Sequence, residues 1–293
     1  MPSVAAGALI EGIGMAIDLQ SLGYETPPIE FGYTWRDTVL YALGVGASPN
    51  EELDYLYEGR GPKVLPTFAT VPTFAAFDAL VDRIGCDRRA MVHRSQEVRL
   101  FKPLRPNARL RIIGRVAGLY DLKRVAVSAF SIDAHDEEGD HIIHGELTLV
   151  LRNDGGFGGT PPPRTERVAL PERDPDFETS ELIAPTQGLL YRLNGDYNPL
   201  HADPDFAEDA GFERPILHGL CTYGYAGRAV LKHSCGGDPS RFRMLRGQFS
   251  SPVYPGDTLI TRGWNEGDRV VLGVSAEARP KELCLSNAYA VLR

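Results

Sequence analysis

The sequence predicts an α+β protein in which one helix is followed by four antiparallel strands, and in which this order occurs twice. Each half of the chain has an apolar run with helical spacing, followed by four runs rich in β-branched and aromatic residues. Residues 102–110 and 251–259 also share the pattern Pro-apolar-x-Pro followed by Leu, and 149 residues separate Pro103 from Pro252. An offset of about half the chain indicates a duplication rather than a solenoid.

In the second half, residues 219–233 are predicted to form the helix, because apolar side chains recur there on one helical face. The sequence NEGD at 265–268 predicts a hairpin turn. The four predicted strands are 244–251, 257–264, 269–278 and 283–292.

The first half repeats this order, with a helix predicted around residues 72–84 and a hairpin turn at 135–140. A curled antiparallel sheet that covers a single helix describes a hot-dog half-domain, so two halves predict a double hot-dog fold. The predicted strands of this half are 92–101, 108–119, 124–134 and 141–151.

Glycine and proline are too dense in residues 149–178 for a helix or a central strand, so we expect the halves to be joined there. The first residues lack a basic segment and carry Glu11 in their only hydrophobic stretch, which disfavours a secretory signal. The predicted divisions are a loose tail at 1–14, an N-terminal hot dog at 15–151, a linker at 152–175 and a C-terminal hot dog at 176–293.

The composition excludes several classes of protein. It is 43% hydrophobic and 24% charged, as in ordinary globular domains, and the formal net charge of -8 offers no general attraction to nucleic acid or to an anionic membrane. No apolar run is long enough to span a bilayer. We therefore expect a cytoplasmic protein without nucleic acid or membrane partners. Reduced thiols are expected at the four isolated cysteines, Cys86, Cys221, Cys235 and Cys284.

The candidate catalytic residues follow a predicted helix that begins at Thr186, as its N-cap, and ends at Asn194-Gly195. Asp196, Asn198 and His201 come next. A carboxylate, an amide and an imidazole are the groups that hold a water molecule and move its protons. The same spacing also fits a structural role, in which Asp196 and Asn198 cap turns and His201 lies in the core.

Gly219 is placed in the first turn of the predicted helix at 219–233. Amides there have no intrahelical partner and carry a partial positive charge, so the Gly219 N–H is a candidate donor to a developing oxyanion. The alternative is an ordinary helix start beside a satisfied His218. A further alternative makes His201, Asp203 and His218 metal ligands, but no tight ligand spacing supports it and we expect no metal.

These residues lie in a segment, YRLNGDYNPLH and the residues after it at 191–228, that resembles the signature of the type-2, R-specific enoyl-CoA hydratases of the MaoC-like dehydratase family. The segment is also similar to the hydratase part of the peroxisomal multifunctional enzyme of β-oxidation. The resemblance extends through 241–259 and 286–292 and back through 155–159 to 92–104, so it covers most of the chain.

The resemblance implies reversible addition of water to trans-2-enoyl-CoA, giving (3R)-3-hydroxyacyl-CoA, with no cofactor besides the coenzyme A of the substrate. Asp196 and His201 match the acid/base pair of the family, Asn198 helps to fix the water, and the Gly219 amide holds the thioester oxygen. Only the C-terminal repeat keeps these residues, while the other accommodates a bulky acyl chain. The substrate contacts implied by the resemblance are His93, Arg94, Lys123, Tyr197, Pro199, Leu200 and Phe249.

The chain departs from the family at one of these contacts, because the usual His-Gly of the first half is His93-Arg94 here. The acyl or coenzyme A path is therefore expected to differ at Arg94. Two other functions fit the same residues: a hot-dog thioesterase, in which water attacks the carbonyl carbon, and a non-catalytic acyl-CoA-binding subunit. A homodimer is expected.

Overall fold

The computed structural model describes residues 17–293, so the predicted tail at 1–14 lies outside the described residues. The first half contains β1 and four longer strands, together with three helices. They are β1 (Ile29–Tyr33), α1 (Trp35–Gly44), α2 (Thr70–Phe74), α3 (Phe77–Ile84), β2 (Met91–Leu100), β3 (Ala108–Asp121), β4 (Ala126–His135) and β5 (His141–Leu151).

The second half has the same number of strands and also three helices. They are β6 (Phe177–Leu182), α4 (Gln187–Tyr191), α5 (Pro204–Asp209), α6 (Gly219–His233), β7 (Phe242–Phe249), β8 (Thr258–Glu266), β9 (Arg269–Ala276) and β10 (Leu283–Leu292). The eight predicted strands and the predicted helix at 219–233 are therefore present, with ends shifted by at most two residues. The sequence did not predict β1, α1, β6 or α5.

All ten strands form one sheet in the order β1-β3-β4-β5-β2-β7-β10-β9-β8-β6, and every neighbouring pair is antiparallel. The two halves meet where β2 pairs with β7, from Ser95 opposite Gln248 to Arg99 opposite Met244. The sheet is thus continuous across the boundary between the repeats. Residues from both halves consequently line a shared region beside this pair.

The central helix α6 is buried on all sides, whereas its periodicity predicts one apolar face. Every residue from Leu220 to Leu231 is buried. Glycines let the first half pack against the second side of the helix: a β-carbon at Gly224 would stand 2.3 Å from Val45, and one at Gly227 would stand 2.4 Å from Thr67. Segments of the first half therefore cover the face that the sequence pattern leaves to solvent.

The first-half helix predicted as one piece at 72–84 is interrupted, and that prediction was wrong. It forms the short α2 and the longer α3, separated at Ala75 and Ala76. At the break, the Ala75 N–H donates to the carbonyl of Pro72, only three residues before it, at 3.1 Å. The chain therefore makes a tighter turn there than the regular α-helical ladder allows.

The predicted linker contains no helix or strand and contacts both halves of the sheet. Its first part lies against the end of β3, where the Gly156 and Gly158 N–H groups donate to Asp121 at 3.0 and 2.7 Å. Its later part lies against β8 and β9. The Trp264 indole donates to the Arg173 carbonyl at 2.8 Å, Arg269 pairs with Glu166 at 3.1 Å, and a β-carbon at Gly273 would lie 3.0 Å from Leu170.

The four cysteines are free, and all four are buried. Within the part of the chain that the structure describes, no helix is both long enough and apolar enough to cross a membrane.

Candidate active site

The candidate catalytic loop and the helix before it are placed as the sequence predicts. After α4, a 3-10 turn ends at Gly195, which adopts a left-handed φ of 116°. Thr186 occupies the predicted N-cap position, although its side chain makes no cap hydrogen bond. The side-chain amide of Gln187 donates to the carbonyl of Gly44 at 2.6 Å and thereby fixes the start of α4 against α1.

Asp196 and Asn198 hold the loop through local hydrogen bonds. The Asn198 backbone N–H donates to Asp196 Oδ1 at 3.3 Å, and the Asn198 side chain accepts from the N–H of Leu200 at 3.0 Å. Both side chains also line a cavity, together with Pro199 and His201. Asp196 and Asn198 therefore both form the turn and line the cavity.

One ring nitrogen of His201 is hydrogen-bonded to a backbone carbonyl, and the other takes no part in that bond. Its Nδ1 lies 2.9 Å from the carbonyl of Ile216, so Nδ1 carries the proton and Nε2 keeps its lone pair. Burial lowers the pKa of His201, while the nearby Asp196 carboxylate acts in the opposite direction. The neutral ring is consequently favoured, and its Nε2 is able to accept a proton.

Gly219 starts α6 and faces Phe249 of β7 across a tight contact. A β-carbon at Gly219 would stand 3.0 Å from Phe249 Cδ1. The His93 ring packs edge-on against Phe249, with the centroids 4.9 Å apart. All three residues line the same cavity as Asp196 and His201, so the helix N-terminus and the predicted acid/base pair share one space.

This cavity has a volume of about 710 Å³ and receives residues from both halves of the chain. Residues of the first half that form an apolar part of its wall are Phe74, Phe77, Met91, Val92 and Leu149. The predicted site residues that line it are His93, Asp196, Tyr197, Asn198, Pro199, Leu200, His201, Gly219 and Phe249.

Two predicted substrate contacts, Arg94 and Lys123, do not line this cavity. The pairing of β2 with β5 shifts between His93 and Ser95, so Arg94 is the extra residue of a bulge. Lys123 lies in the turn between β3 and β4 with a φ of 70°, and its N–H donates to Asp121 at 2.6 Å. The geometry therefore brings His93 to the site without its neighbour Arg94.

Three arginines that the sequence analysis missed, Arg88, Arg89 and Arg152, line the cavity. Arg88 is neutralised by ion pairs to Asp78 and Asp82, whereas no ion pair among the described residues involves Arg89 or Arg152. The Arg152 N–H donates at 3.1 Å to the carbonyl of Ala90, the residue after Arg89. The two unpaired arginines therefore lie on neighbouring segments of the chain. The basic sequence DRRA immediately before β2 was the available signal.

The predicted alternative metal set of His201, Asp203 and His218 is not assembled, because Asp203 caps α5 by accepting from Asp205 N–H at 3.0 Å. Asp196 takes its place: one potential ligand atom each from Asp196, His201 and His218 lie within 4.8 Å of one another. The two imidazole rings are stacked, with centroids 3.8 Å apart and planes 28° apart. In-plane lone pairs of stacked rings converge poorly on a single ion.

The fold and its cavity define a double hot-dog protein. Comparison with solved structures finds a MaoC-like dehydratase from Phytophthora capsici, with a TM-score of 0.84 and 30% identity, covering 94% of this chain and 98% of that one. A Mycobacterium tuberculosis protein described as a double hotdog fold matches with a TM-score of 0.57 and 13% identity, over 93% of this chain and 97% of its own. The predicted fold class is confirmed.

Within that class, the chain belongs to the MaoC-like hydratase 2 family. Residues 31–153 match the MFE-2 hydratase 2 N-terminal domain, and residues 166–283 match the MaoC like domain. The chain is 37% identical to the peroxisomal enoyl-CoA hydratase 2 of Arabidopsis thaliana, over 89% of this chain and 91% of that protein. It is 38% identical to the enoyl-CoA hydratase ChsH3 of Mycobacterium tuberculosis, over 94% of this chain and 99% of that protein.

Proposed function

We propose that the protein is an R-specific enoyl-CoA hydratase, a hydro-lyase that reversibly adds water to trans-2-enoyl-CoA and forms (3R)-3-hydroxyacyl-CoA in β-oxidation-type metabolism. The observation that carries this function is the meeting of Asp196, His201 and the Gly219 amide in one cavity. Relatives over most of the chain are enoyl-CoA hydratases, and one is a 3-hydroxyacyl-thioester dehydratase of Mycobacterium tuberculosis, 41% identical over 85% of this chain.

The first catalytic contribution is electrostatic. An enoyl thioester is electrophilic at C3 only when negative charge can develop on its carbonyl oxygen. The Gly219 N–H at the start of α6 has no intrahelical acceptor, so it is able to donate to that oxygen. A preorganised donor of this kind contributes about 3 kcal/mol to the transition state.

The second contribution is proton transfer by Asp196 and His201. The pair takes a proton from the water that attacks C3 and delivers a proton to C2. Side-chain atoms of the two groups lie within 4.8 Å of each other, so water and proton add to the same face of the double bond. Neutral His201 with a free Nε2 is suited to accept a proton. Asn198 fixes the water, and the two titrating groups act as one coupled unit.

The remaining cavity residues hold the substrate. The apolar wall from the first half, around Phe74, Phe77 and Leu149, accommodates the acyl chain. The two unpaired arginines, Arg89 and Arg152, bind the phosphates of coenzyme A, since a guanidinium recognises phosphate through paired N–H donors.

The deciding experiment is an assay of the purified chain with a panel of trans-2-enoyl-CoA thioesters, followed through the loss of absorbance of the conjugated thioester. Coupling the product to an S-specific 3-hydroxyacyl-CoA dehydrogenase should yield no NADH, whereas an R-specific one should yield it. Formation of free coenzyme A would instead identify a thioesterase. Binding without turnover of any enoyl-CoA would identify a non-catalytic subunit.

The reaction needs no metal or redox cofactor in this proposal, because a carboxylate, an imidazole and a backbone amide supply the acid, base and oxyanion chemistry. Dialysis against a chelator should leave turnover unchanged. Loss of activity that zinc restores would overturn this part of the proposal and assign Asp196, His201 and His218 as ligands.

The protein acts in the cytoplasm as a homodimer in this proposal. Exposed apolar side chains on α1, on the neighbouring α4 and in the 3-10 turn after α4 support self-association: Leu43, Leu189 and Leu193 are 41%, 51% and 54% exposed. Light scattering of the purified chain measures its mass, and a Leu189→Glu, Leu193→Glu variant should shift a dimer to monomer. A wild-type mass equal to that of one chain would contradict the dimer.

A further inference from the structure

His218 immediately precedes α6, and nothing in the catalytic proposal uses its side chain. It is only 1% exposed and is absent from the cavity wall, so it lies behind the proposed acid/base pair. From the sequence alone, His218 is a satisfied side chain or a metal ligand. In the structure, its ring makes specific contacts with Asp196 and His201.

The His218 ring touches both members of that pair. Its Nε2 donates to the backbone carbonyl of Asp196 at 3.1 Å, so the catalytic loop is tied to the start of α6 across 22 residues of sequence. One face of the ring is stacked on His201 with the centroids 3.8 Å apart. The ring of Tyr191 lies 4.9 Å from that of His218.

The second ring nitrogen of His218, Nδ1, makes this arrangement energetically unfavourable. Because Nε2 is the donor, Nδ1 is an unprotonated acceptor, and it is buried with no hydrogen-bond partner among the described residues. Leaving an acceptor unsatisfied in the interior is unfavourable, so a histidine here is not explained by packing alone. A phenylalanine would fill the same space without that cost.

We propose that His218 is a positioning residue for the hydratase reaction, which holds Asp196 through the carbonyl bond and fixes the plane of the His201 ring by stacking. Asp196 is then held at two points, since its carboxylate also accepts from the N–H of Asn198. Asp196 and His201 are thereby held in fixed positions relative to the first turn of α6, which also carries the Gly219 amide. The inference rests on the proposed function.

His218 remains neutral in this role. Burial lowers its pKa well below the ordinary value, and the neighbouring His201 acts in the same direction. The charged or titratable groups around the two rings are Asp196, Arg192 and Tyr191. A neutral ring is able to stack on His201 without repelling the positive charge that develops there during proton transfer.

The test compares His218→Phe, which keeps the ring but removes the donor, with His218→Gln, which keeps an N–H donor near the position of Nε2. We expect His218→Phe to lower kcat about 10-fold to 100-fold with KM within about 2-fold, because misplacing a reacting group by about 1 Å has this effect. We expect His218→Gln to recover a large part of the loss. The matched control is His233→Phe, at the opposite end of α6, where the ring stacks on Phe177.

A second readout does not depend on turnover. The Asp196 carboxylate raises the pKa of His201, so release of Asp196 in His218→Phe should move the titration of the His201 ring to lower pH, as followed by NMR. His218→Gln should leave that titration near wild type. A merely structural role would change thermal stability in both variants without this selective shift.

Wild-type kcat and an unchanged His201 titration in His218→Phe would overturn the inference. So would equal losses of kcat in both variants with the His201 titration unmoved. Should wild type itself show no hydratase activity on any enoyl-CoA, the proposed function fails, while the NMR titration still reports whether His218 holds Asp196 beside His201.

Discussion

Gly219 and Phe249 approach so closely that a single added carbon on residue 219 would stand 3.0 to 3.2 Å from three atoms of the Phe249 ring. The contact joins the first turn of α6 to the end of β7. Both residues line the cavity. A side chain at position 219 would therefore require the Phe249 ring to shift by a few tenths of an ångström.

Gly219→Ala should lower kcat about 10-fold to 100-fold, because the methyl group displaces Phe249 and obstructs the approach of a thioester oxygen to the amide. Steady-state kinetics on the best enoyl-CoA measure this. The control is Gly32→Ala in β1, where an added carbon would meet only Arg109, at 3.9 Å. Full activity of Gly219→Ala would exclude its amide as the oxyanion donor.

Asp196→Asn and His201→Ala should each lower kcat about 100-fold or more, which is the usual effect of removing a positioned acid or base. The double variant should lose far less than the product of the two, since the pair acts as a unit. Asp205→Asn, an exposed carboxylate on α5, provides the control. Wild-type turnover in either single variant would show that the assignment is wrong.

Arg89→Glu and Arg152→Glu should raise KM for an enoyl-CoA at least about 10-fold, because each replaces a phosphate-binding cation with an anion. Neither should change KM for the corresponding pantetheine thioester, which lacks the nucleotide phosphates. Arg109→Glu, an exposed arginine outside this cavity, should leave both values unchanged. Equal effects on the two substrates would place the arginines at the acyl end instead.

His93 should make the protein less stable at acid pH. Burial lowers its pKa to about 4, from 6.5 in an unfolded chain. Between these values the unfolded chain binds the extra proton, so the free energy of unfolding falls as the pH drops from 6.5 to about 4. His93→Gln keeps a donor for the Ser95 carbonyl and should make this decline shallower, by no more than about 3 kcal/mol.

The pKa of His144 is shifted in the opposite direction from that of His93. The hydrogen bond to Asp133, together with that to Glu146, raises its pKa to about 9, so its stabilising contribution is complete below pH 6.5 and is lost as the pH rises to about 9. Urea unfolding curves from about pH 4 to about pH 9 test both histidines. If His93→Gln has the wild-type slope on the acid side, the predicted linkage is absent.

One active site per chain is expected. The positions 149 residues before Asp196 and His201 are Ala47 and Glu52, and Glu52 is engaged in a buried ion pair with Arg228 of α6. Titration with a tight, unreactive acyl-CoA analogue should therefore end at one equivalent per chain. Two equivalent sites, or a fully active fragment containing the C-terminal half alone, would contradict this division between the halves.

The local features of the candidate catalytic segment follow from its sequence. Gly195 ends the helix because glycine tolerates the left-handed backbone, and the residues after it converge because the loop is short. The hairpins β3-β4-β5 and β8-β9-β10 are likewise readable from alternating side chains and turn sequences, because these strands pair with their neighbours in sequence. The pairing of β2 with β5 and of β7 with β10 does not follow from adjacency in sequence. The resemblance to hydratases implied the roles proposed for Asp196, Asn198, His201 and Gly219.

The sequence by itself thus determined the hairpins of the two repeats, the position of the candidate catalytic loop and the start of α6, because local backbone preferences and short-range pairing set these features. Only the tertiary structure decided that α6 is enclosed on all sides, that Arg89 and Arg152 reach the cavity while Arg94 does not, and that His218 lies against Asp196 and His201. These relationships depend on contacts between segments far apart in the chain, and such contacts leave no period or spacing in the local sequence. A bulge of one residue in β2 is enough to separate His93 from Arg94.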